Sequence, residues 1–255
     1  MTQLGAQMFT VRAFTQTESD LLSTFRKLRA IGYEAVQISA IGAGIPVPAV
    51  AAGLKETGLA CAATHISFDD CKKDLAAVVE KHRAWGCEYV GVGSMPEEYR
   101  ADAAGFARFA REASDVADAL AKEGLKFVYH NHNFEFRSFG GKTGMEILFE
   151  ETSPNFQFEL DTFWVQKGAS DVRAWIEKVR GRMDVVHFKD MALDDKSEQV
   201  MAEIGQGNLN WDGIIAACRD IGVKWYLVEQ DDCRGRDPFE SLKISYDFLT
   251  SKGVK

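Results

Sequence analysis

Short apolar runs alternate with amphipathic segments along the whole chain. Eight of the runs have the length and composition of strands, and they span residues 4–8, 35–38, 60–65, 89–92, 126–132, 156–161, 185–189 and 225–229. The clearest amphipathic segment spans residues 103–122 and carries its apolar side chains on one helical face. A glycine stands where several predicted helices end, as a left-handed cap requires. These glycines are Gly32, Gly58, Gly86, Gly124 and Gly222.

Alternation of strand and helix predicts parallel strands, because each strand must return through a crossover helix. Eight such units in about 250 residues match a closed barrel better than an open sheet. The dinucleotide fingerprint of open sheets does not follow the first strand, and Gly91-Val92-Gly93 is only a lone Gly-x-Gly. We therefore predict an α/β protein with a single (β/α)8 TIM barrel domain over residues 1–255.

Charge and composition narrow the function classes. The chain has 30 Lys+Arg against 38 Asp+Glu, a formal charge of −8, which disfavours binding to nucleic acid. It shows no basic-then-apolar leader and no apolar window of about 18 residues, so we expect no membrane association. Five cysteines without a Cys-x-x-Cys pair predict buried thiols in a cytoplasmic protein. They are Cys61, Cys71, Cys87, Cys218 and Cys233.

Ionisable residues collect at the predicted strand ends, where barrels of this kind bind ligands. Four of the five histidines lie there, namely His65, His130, His132 and His187. The fifth, His82, lies on a helical stripe and is expected to be a core or surface imidazole. Period-two geometry points further side chains to the barrel axis or to the same rim. These are Glu159, Asp161, Lys189 and Glu229.

Carboxylates that meet in a semi-buried site need a compensating cation. Strands about 4.8 Å apart can bring Asp161, His187 and Glu229 together, and this donor set suits Mn, Mg, Co, Zn or Fe(II). We therefore expect these three residues to bind one divalent ion; the alternative is that Asp161 caps a helix. Glu159 lies deeper in its strand and is expected to pair with an interior Lys or Arg. Lys189 is either such a partner, of Asp161 or Glu159, or a group that touches substrate.

Six segments together resemble the xylose isomerase-like barrels. That group includes sugar and sugar-phosphate isomerases and epimerases, inosose dehydratases and endonuclease IV. The resemblance covers essentially the whole chain. The segments are QMFTVR (7–12), YHNHNFEF (129–136), LDT (160–162), HFKD (187–190), GQG (205–207) and VEQD (228–231).

The resemblance implies one divalent ion, with Mn expected first, held by a Glu, an Asp, a His and a second Glu. Asp161, His187 and Glu229 match the last three positions. The first ligand position departs from the family pattern, because the fifth strand ends in His130-Asn131-His132 where many members have Glu. We expect Glu135 to supply that carboxylate, with His132 as the alternative. The His-rich strand resembles the inosose dehydratase branch.

The implied reaction is isomerisation or epimerisation of a sugar or polyol, by proton abstraction beside a metal-bound carbonyl through an enediolate. The alternative is a metal-dependent lyase or dehydratase acting on a keto-sugar, keto-inositol or 3-keto-glycoside. The implied proton-transfer groups are Glu135, Glu229, His130, His132 and His65, with Lys189 on a substrate oxygen. The expected substrate contacts are Gln7, Arg12, His65 and Trp164.

Two other readings are less favoured. A sugar-binding barrel without catalysis would have little use for three ionisable ligands in a single mouth. An AP endonuclease-type phosphodiesterase would need more metal ligands and a basic face, against five histidines and a charge of −8. No phosphate-cradling loop is evident, which favours an unphosphorylated substrate. Barrels of this sort often form homo-oligomers through exposed helices and loops.

Overall fold

The computed structural model describes residues 3–254, and eight parallel strands form its centre. The strands are β1 (Gln3–Gln7), β2 (Ala35–Ile38), β3 (Ala60–Thr64), β4 (Tyr89–Val92), β5 (Lys126–His130), β6 (Phe156–Asp161), β7 (Val185–Phe188) and β8 (Trp225–Val228). Their order in the sheet is β3-β2-β1-β8-β7-β6-β5-β4. The two strands at the ends of this order, β3 and β4, are joined by a parallel bridge between Ile66 and Val92, just beyond β3. The prediction of a single (β/α)8 barrel is confirmed.

Ten helices of the described chain surround the strands. They are α1 (Glu18–Ile31), α2 (Val47–Thr57), α3 (Phe68–Lys73), α4 (Leu75–Trp85), α5 (Ala103–Lys122), α6 (Gly144–Glu151), α7 (Thr162–Lys167), α8 (Val172–Lys178), α9 (Trp211–Ile221) and α10 (Pro238–Ser251). Helix α5 has the predicted bounds, and Gly58, Gly86 and Gly222 end their helices in the left-handed conformation. None of the described helices is long and apolar enough to span a membrane.

The core has two layers, as period-two strands predict. Between strands and helices lies a large apolar layer that contains Val186 and Phe188. Inside the barrel a small cluster contains Val128, Val185 and Leu227. Alternate residues of the same strands therefore point their side chains to the axis, and these carry the ionisable groups of the carboxyl ends.

Three details differ from the sequence predictions. Five strands end one or two residues earlier than predicted, so that five residues lie just beyond them, namely Met8, His65, His132, Lys189 and Glu229. Two segments that follow predicted strands contain antiparallel hairpins, Ser138–Phe139 with Lys142–Thr143 and Asp190–Leu193 with Gln199–Ala202. The strands of the first hairpin have two residues each and are too short to give a period-two signal. Cys233 is half-buried rather than buried; all five thiols are free.

His82 belongs to the core. Its Nδ1 donates to the Val78 carbonyl at 2.7 Å, and its Nε2 accepts from the Thr64 hydroxyl at 2.7 Å. Burial lowers its pKa to about 4, so the ring is neutral.

Candidate active site

The carboxyl ends of the strands surround a cavity of about 530 Å³. Its walls combine imidazole, carboxylate, ammonium, hydroxyl and aromatic groups. They include Gln7, Phe9, Ser39, His65, Ser67, Ser94, His130, His132, Trp164, Lys189, Glu229 and Asp231. Most of these groups are polar, which suits a hydrophilic ligand.

Four buried side chains beside this cavity converge on one point. The ligand atoms of His130, Asp161, His187 and Glu229 all lie within 4.8 Å of one another. His130 Nε2 is 3.1 Å from Asp161 Oδ2, and His187 Nδ1 is 3.0 Å from Glu229 Oε2. We call these four residues the ligand cluster. Asp161, His187 and Glu229 are thus brought together, with His130 as the fourth member.

The other atoms of the cluster residues are held by the protein. Asp161 Oδ1 accepts from the Trp164 backbone N–H at 2.9 Å and caps α7, while Oδ2 faces the cluster. The sequence left helix capping and a place among the ligand residues as alternatives for Asp161, and in the structure this side chain does both. His130 Nδ1 donates to the Gly93 carbonyl at 3.0 Å, which leaves Nε2 for the cluster.

His187 joins the cluster to a second group of buried residues. Its Nε2 donates to Gln37 Oε1 at 2.6 Å and lies 3.3 Å from Glu159 Oε1. Burial would lower the pKa of His187, but the negative charges of Glu159 and Glu229 outweigh it and raise the pKa to about 10. A carboxylate behind a ligating histidine is the usual way in which proteins orient such a ligand.

The donor set fits a divalent cation. Two imidazoles and two carboxylates, all buried and mutually close, suit Zn, Mn, Fe or Co better than a soft metal or an all-oxygen Ca site. Each imidazole has its remaining nitrogen fixed by a hydrogen bond, so the atoms facing the cluster are determined.

Lys189 lies against the cluster with only 1% of its side chain exposed. Its Nζ is 3.1 Å from Asp161 Oδ2, 2.7 Å from Glu229 Oε2 and 3.0 Å from Asp231 Oδ2. Burial would lower the pKa of Lys189, but the three carboxylates raise it above its ordinary value. The ammonium pairs with Asp161, as one sequence alternative held, and not with Glu159.

The structure does not bring Glu135 to the ligand cluster. Glu135 is fully buried, its Oε1 accepts from the Tyr129 hydroxyl at 2.7 Å, and its Oε2 accepts from the His132 backbone N–H at 2.9 Å. Burial raises the pKa of Glu135 to about 7. A 3-10 turn over Phe134–Phe136 carries the side chain towards Tyr129, and His130 stands fourth in the cluster instead.

Glu159 pairs with histidines, contrary to the expectation of an interior Lys or Arg. Its Oε2 accepts from His65 Nε2 at 2.6 Å, and its Oε1 accepts from Gln37 at 2.8 Å. Gln7 donates its amide to His65 Nδ1 at 3.3 Å, while the Gln7 oxygen accepts from the Phe9 N–H at 2.6 Å. The buried carboxylate therefore fixes His65 at the cavity wall.

His132 and Trp164 form an aromatic side of the cavity. The His132 ring stacks on Phe134 at 5.8 Å and lies 5.1 Å from Trp164. Within residues 3–254, His132 Nδ1 and Trp164 Nε1 are buried without a hydrogen-bond partner. Burial lowers the pKa of His132 to about 3, so its ring is neutral.

Arg12 binds backbone carbonyls beside the site and does not line the cavity. Its guanidinium donates to the Asp231 carbonyl at 3.2 and 3.3 Å and stacks over Phe9. Sequence reasoning missed Gln37 and Asp231 as site residues. Period two was an available signal for both, because Asp231 follows Glu229 by two positions and Gln37 points to the axis from β2.

Comparison with known proteins agrees with this architecture. The family model of the xylose isomerase-like TIM barrel matches residues 25–252. No curated protein matches the sequence. A sugar phosphate isomerase/epimerase from Parabacteroides distasonis is similar at TM-score 0.84 and 20% identity, over 100% of this chain and 96% of that one.

Two further solved structures share the fold at lower identity. L-ribulose 3-epimerase has a TM-score of 0.75 and 18% identity, over 98% of this chain and 94% of that chain. The IOLI protein, solved with a zinc atom bound, has a TM-score of 0.69 and 12% identity, over 98% of this chain and 97% of that one. At these identities the likeness concerns the fold.

Proposed function

The chain belongs to the xylose isomerase-like TIM barrel family, and from this premise we propose that it is a divalent-metal-dependent epimerase or isomerase of a sugar or polyol. The observation that carries the proposal is the ligand cluster beside a cavity whose walls carry imidazole, carboxylate, ammonium and hydroxyl groups. His130, Asp161, His187 and Glu229 would hold the ion. When bound, such an ion supplies Lewis-acid stabilisation of the negative charge that develops beside the carbon that loses its proton.

The chain's own residues supply orientation and proton transfer. His65 presents its ring at the cavity wall with Nε2 bound to Glu159, so its orientation is fixed. His132 presents a neutral ring on the aromatic side. Both rings contact that of His130, at 5.2 and 5.0 Å between centroids. Two groups that can take and return a proton are what epimerisation needs.

Dehydration is the second candidate, and Asp231 is the observation that favours it. Burial and the neighbouring Glu229 raise the pKa of Asp231, whose side chain is 25% exposed in the cavity. A carboxyl group that keeps its proton more readily can donate it to a departing hydroxyl. The same first step, removal of a proton beside a carbonyl, serves both reactions.

Deuterium incorporation from D2O over a panel of ketoses, inososes and 3-keto-glycosides tests the proposal. We expect exchange at a carbon beside the carbonyl, with restored activity when Mn²⁺ follows EDTA treatment. Asp161→Asn should lower the exchange rate by about 100-fold or more. Loss of a water mass identifies the dehydratase. Full exchange in the EDTA-treated protein would contradict the metal, and no exchange on any class contradicts the proposed reaction.

A further inference from the structure

Lys189 binds the two carboxylate oxygens that a divalent ion needs. Its Nζ lies 3.1 Å from Asp161 Oδ2 and 2.7 Å from Glu229 Oε2. The same two oxygens face His130 Nε2 and His187 Nδ1 in the ligand cluster. Metal–carboxylate distances are about 2.0–2.2 Å, so an ion on both oxygens would lie within a few ångströms of the ammonium. At that distance the divalent ion and the ammonium repel each other strongly in a buried site.

Asp231 offers the ammonium a second position. Its Oδ2 is 3.0 Å from Lys189 Nζ, and its side chain is 25% exposed, against 0% for Asp161 and 5% for Glu229. Arg12 holds the Asp231 backbone carbonyl at 3.2 Å. A rotation of the flexible lysine stem can therefore keep the bond to Asp231, break the other two and bring Nζ to the cavity that both residues line.

We propose that Lys189 competes with the divalent ion for Asp161 and Glu229 and, when the ion binds, moves onto Asp231 at the cavity wall, where it holds a substrate oxygen. The inference rests on the proposed function for the metal and the substrate. Lys189 is thus a substrate-binding residue whose place depends on metal loading. The exchange keeps the buried carboxylates paired in both states.

A Mn²⁺ titration by calorimetry at pH 7.5, on chelator-treated full-length protein, measures the competition. Lys189→Met should bind Mn²⁺ about tenfold more tightly than the natural protein, because the competing ammonium is gone. Lys167→Met is the matched control. Lys167 Nζ lies 5.2 Å from the Trp164 ring, as Lys189 Nζ lies 5.6 Å from it. The control removes a nearby positive charge without touching the cluster, and its affinity should change less than about twofold.

Asp231→Asn completes a double-mutant cycle. With Lys189 present, this change should weaken Mn²⁺ binding because the ammonium loses its second position; in the Lys189→Met background the loss should be clearly smaller. The proposal is overturned if Lys189→Met binds Mn²⁺ no more tightly than Lys167→Met, or if the two changes are additive.

A crystal structure of the Mn²⁺-loaded natural protein tests the movement without any variant. We expect Lys189 Nζ beyond hydrogen-bond distance of Asp161 and Glu229 and still bound to Asp231. An ammonium that stays on Glu229 beside the ion overturns the proposal. Deuterium exchange separates the two failures. If deuterium exchange requires Mn²⁺ but Lys189→Met and Lys167→Met bind Mn²⁺ equally tightly, the competition is overturned and the proposed function stands. Tighter binding by Lys189→Met without exchange on any substrate supports competition alone.

Discussion

At the scale of single residues, Glu135 has a charge state set by burial. Its carboxylate is fully buried, and its two hydrogen bonds come from neutral donors, the Tyr129 hydroxyl and the His132 backbone N–H. Asp161 is equally buried, yet Lys189 and His130 keep its pKa below the ordinary value against the effect of burial. The pKa values of these two buried carboxylates therefore shift in opposite directions, because the Lys189 ammonium lies 3.1 Å from Asp161 Oδ2, whereas the hydrogen bonds of Glu135 come from neutral donors.

Glu135 predicts a pH-dependent stability. Its folded pKa of about 7 exceeds the ordinary 4.5, so the folded state holds the proton more tightly. The free energy of unfolding therefore falls as pH rises from about 4.5 to 7, by up to about 3 kcal/mol. The Glu135→Gln side chain does not titrate, so the stability of this variant relative to the natural protein should increase as the pH rises from 5 to 8.

Urea unfolding at both pH values, with chelator present, measures that difference. Glu56→Gln is the control, because Glu56 is half-exposed and paired with Arg26. A gap between Glu135→Gln and the natural protein that does not change with pH contradicts the prediction.

At the scale of elements, Asp190 organises the long loop after β7. Its buried carboxylate accepts five N–H groups, including Trp211 Nε1 at 2.7 Å, Gly205 N at 2.9 Å and Gly207 N at 3.0 Å. Gly205 has φ +86°, and a Cβ on Gly207 would lie 2.4 Å from Asp190 Oδ1. The Gly-Gln-Gly motif therefore lets the loop wrap closely around one carboxylate.

Asp190→Asn should loosen this loop. The amide replaces one accepting oxygen with an N–H₂ that faces other N–H groups, so at least one buried donor loses its partner. We expect a loss of about 2–4 kcal/mol in the free energy of unfolding. Amide hydrogen exchange over residues 203–211 should become faster.

Asp194→Asn is the control in the same hairpin region, because the partly exposed Asp194 accepts from the Lys196 and Glu198 N–H groups at the turn. Urea unfolding and hydrogen exchange of both variants check the prediction. Equal losses in the two variants would show that Asp190 has no special role.

At the scale of the whole molecule, the barrel closes at a seam of small residues between β3 and β4. A Cβ on Gly91 would lie 2.0 Å from the Thr64 carbonyl, and a Cβ on Gly93 would lie 2.8 Å from His65 Nδ1. The only bridge described at this seam is the one between Ile66 and Val92. The glycines of Gly91-Val92-Gly93 therefore let the backbone of β4 approach the Thr64 carbonyl closely and leave room for the His65 ring.

Gly93→Ala should displace His65 from Glu159 and Gln7 while the barrel stays folded. Because a misplacement of about 1 Å can lower turnover about 100-fold, we expect a loss of that order in the deuterium-exchange assay. Gly44→Ala is the control, since nothing lies within 4 Å of its added Cβ. Unchanged exchange in Gly93→Ala, at normal thermal stability, would show that the position of His65 does not matter.

The alternation of strand and helix could be read from the sequence, because burial period and glycine caps are local properties. It predicted all eight strands to within two residues at each end, and it placed Asp161, His187 and Glu229 on neighbouring strand ends. For the fourth member it favoured Glu135, with His132 as the alternative, whereas His130 lies in the ligand cluster. That choice depends on a 3-10 turn and on the Tyr129 hydroxyl, and neither leaves a periodic signal.

By itself, then, the sequence determined the barrel and the rim that carries the ionisable groups, since period two dictates which side chains face the axis. Tertiary structure alone decided which charges pair. Glu159 meets His65 across 94 positions, and His187 meets Gln37 across 150. It also decided that Lys189 lies on three carboxylates. Such pairings arise only when distant strands close into one ring, because burial then forces each charge to find whichever partner the geometry brings within reach.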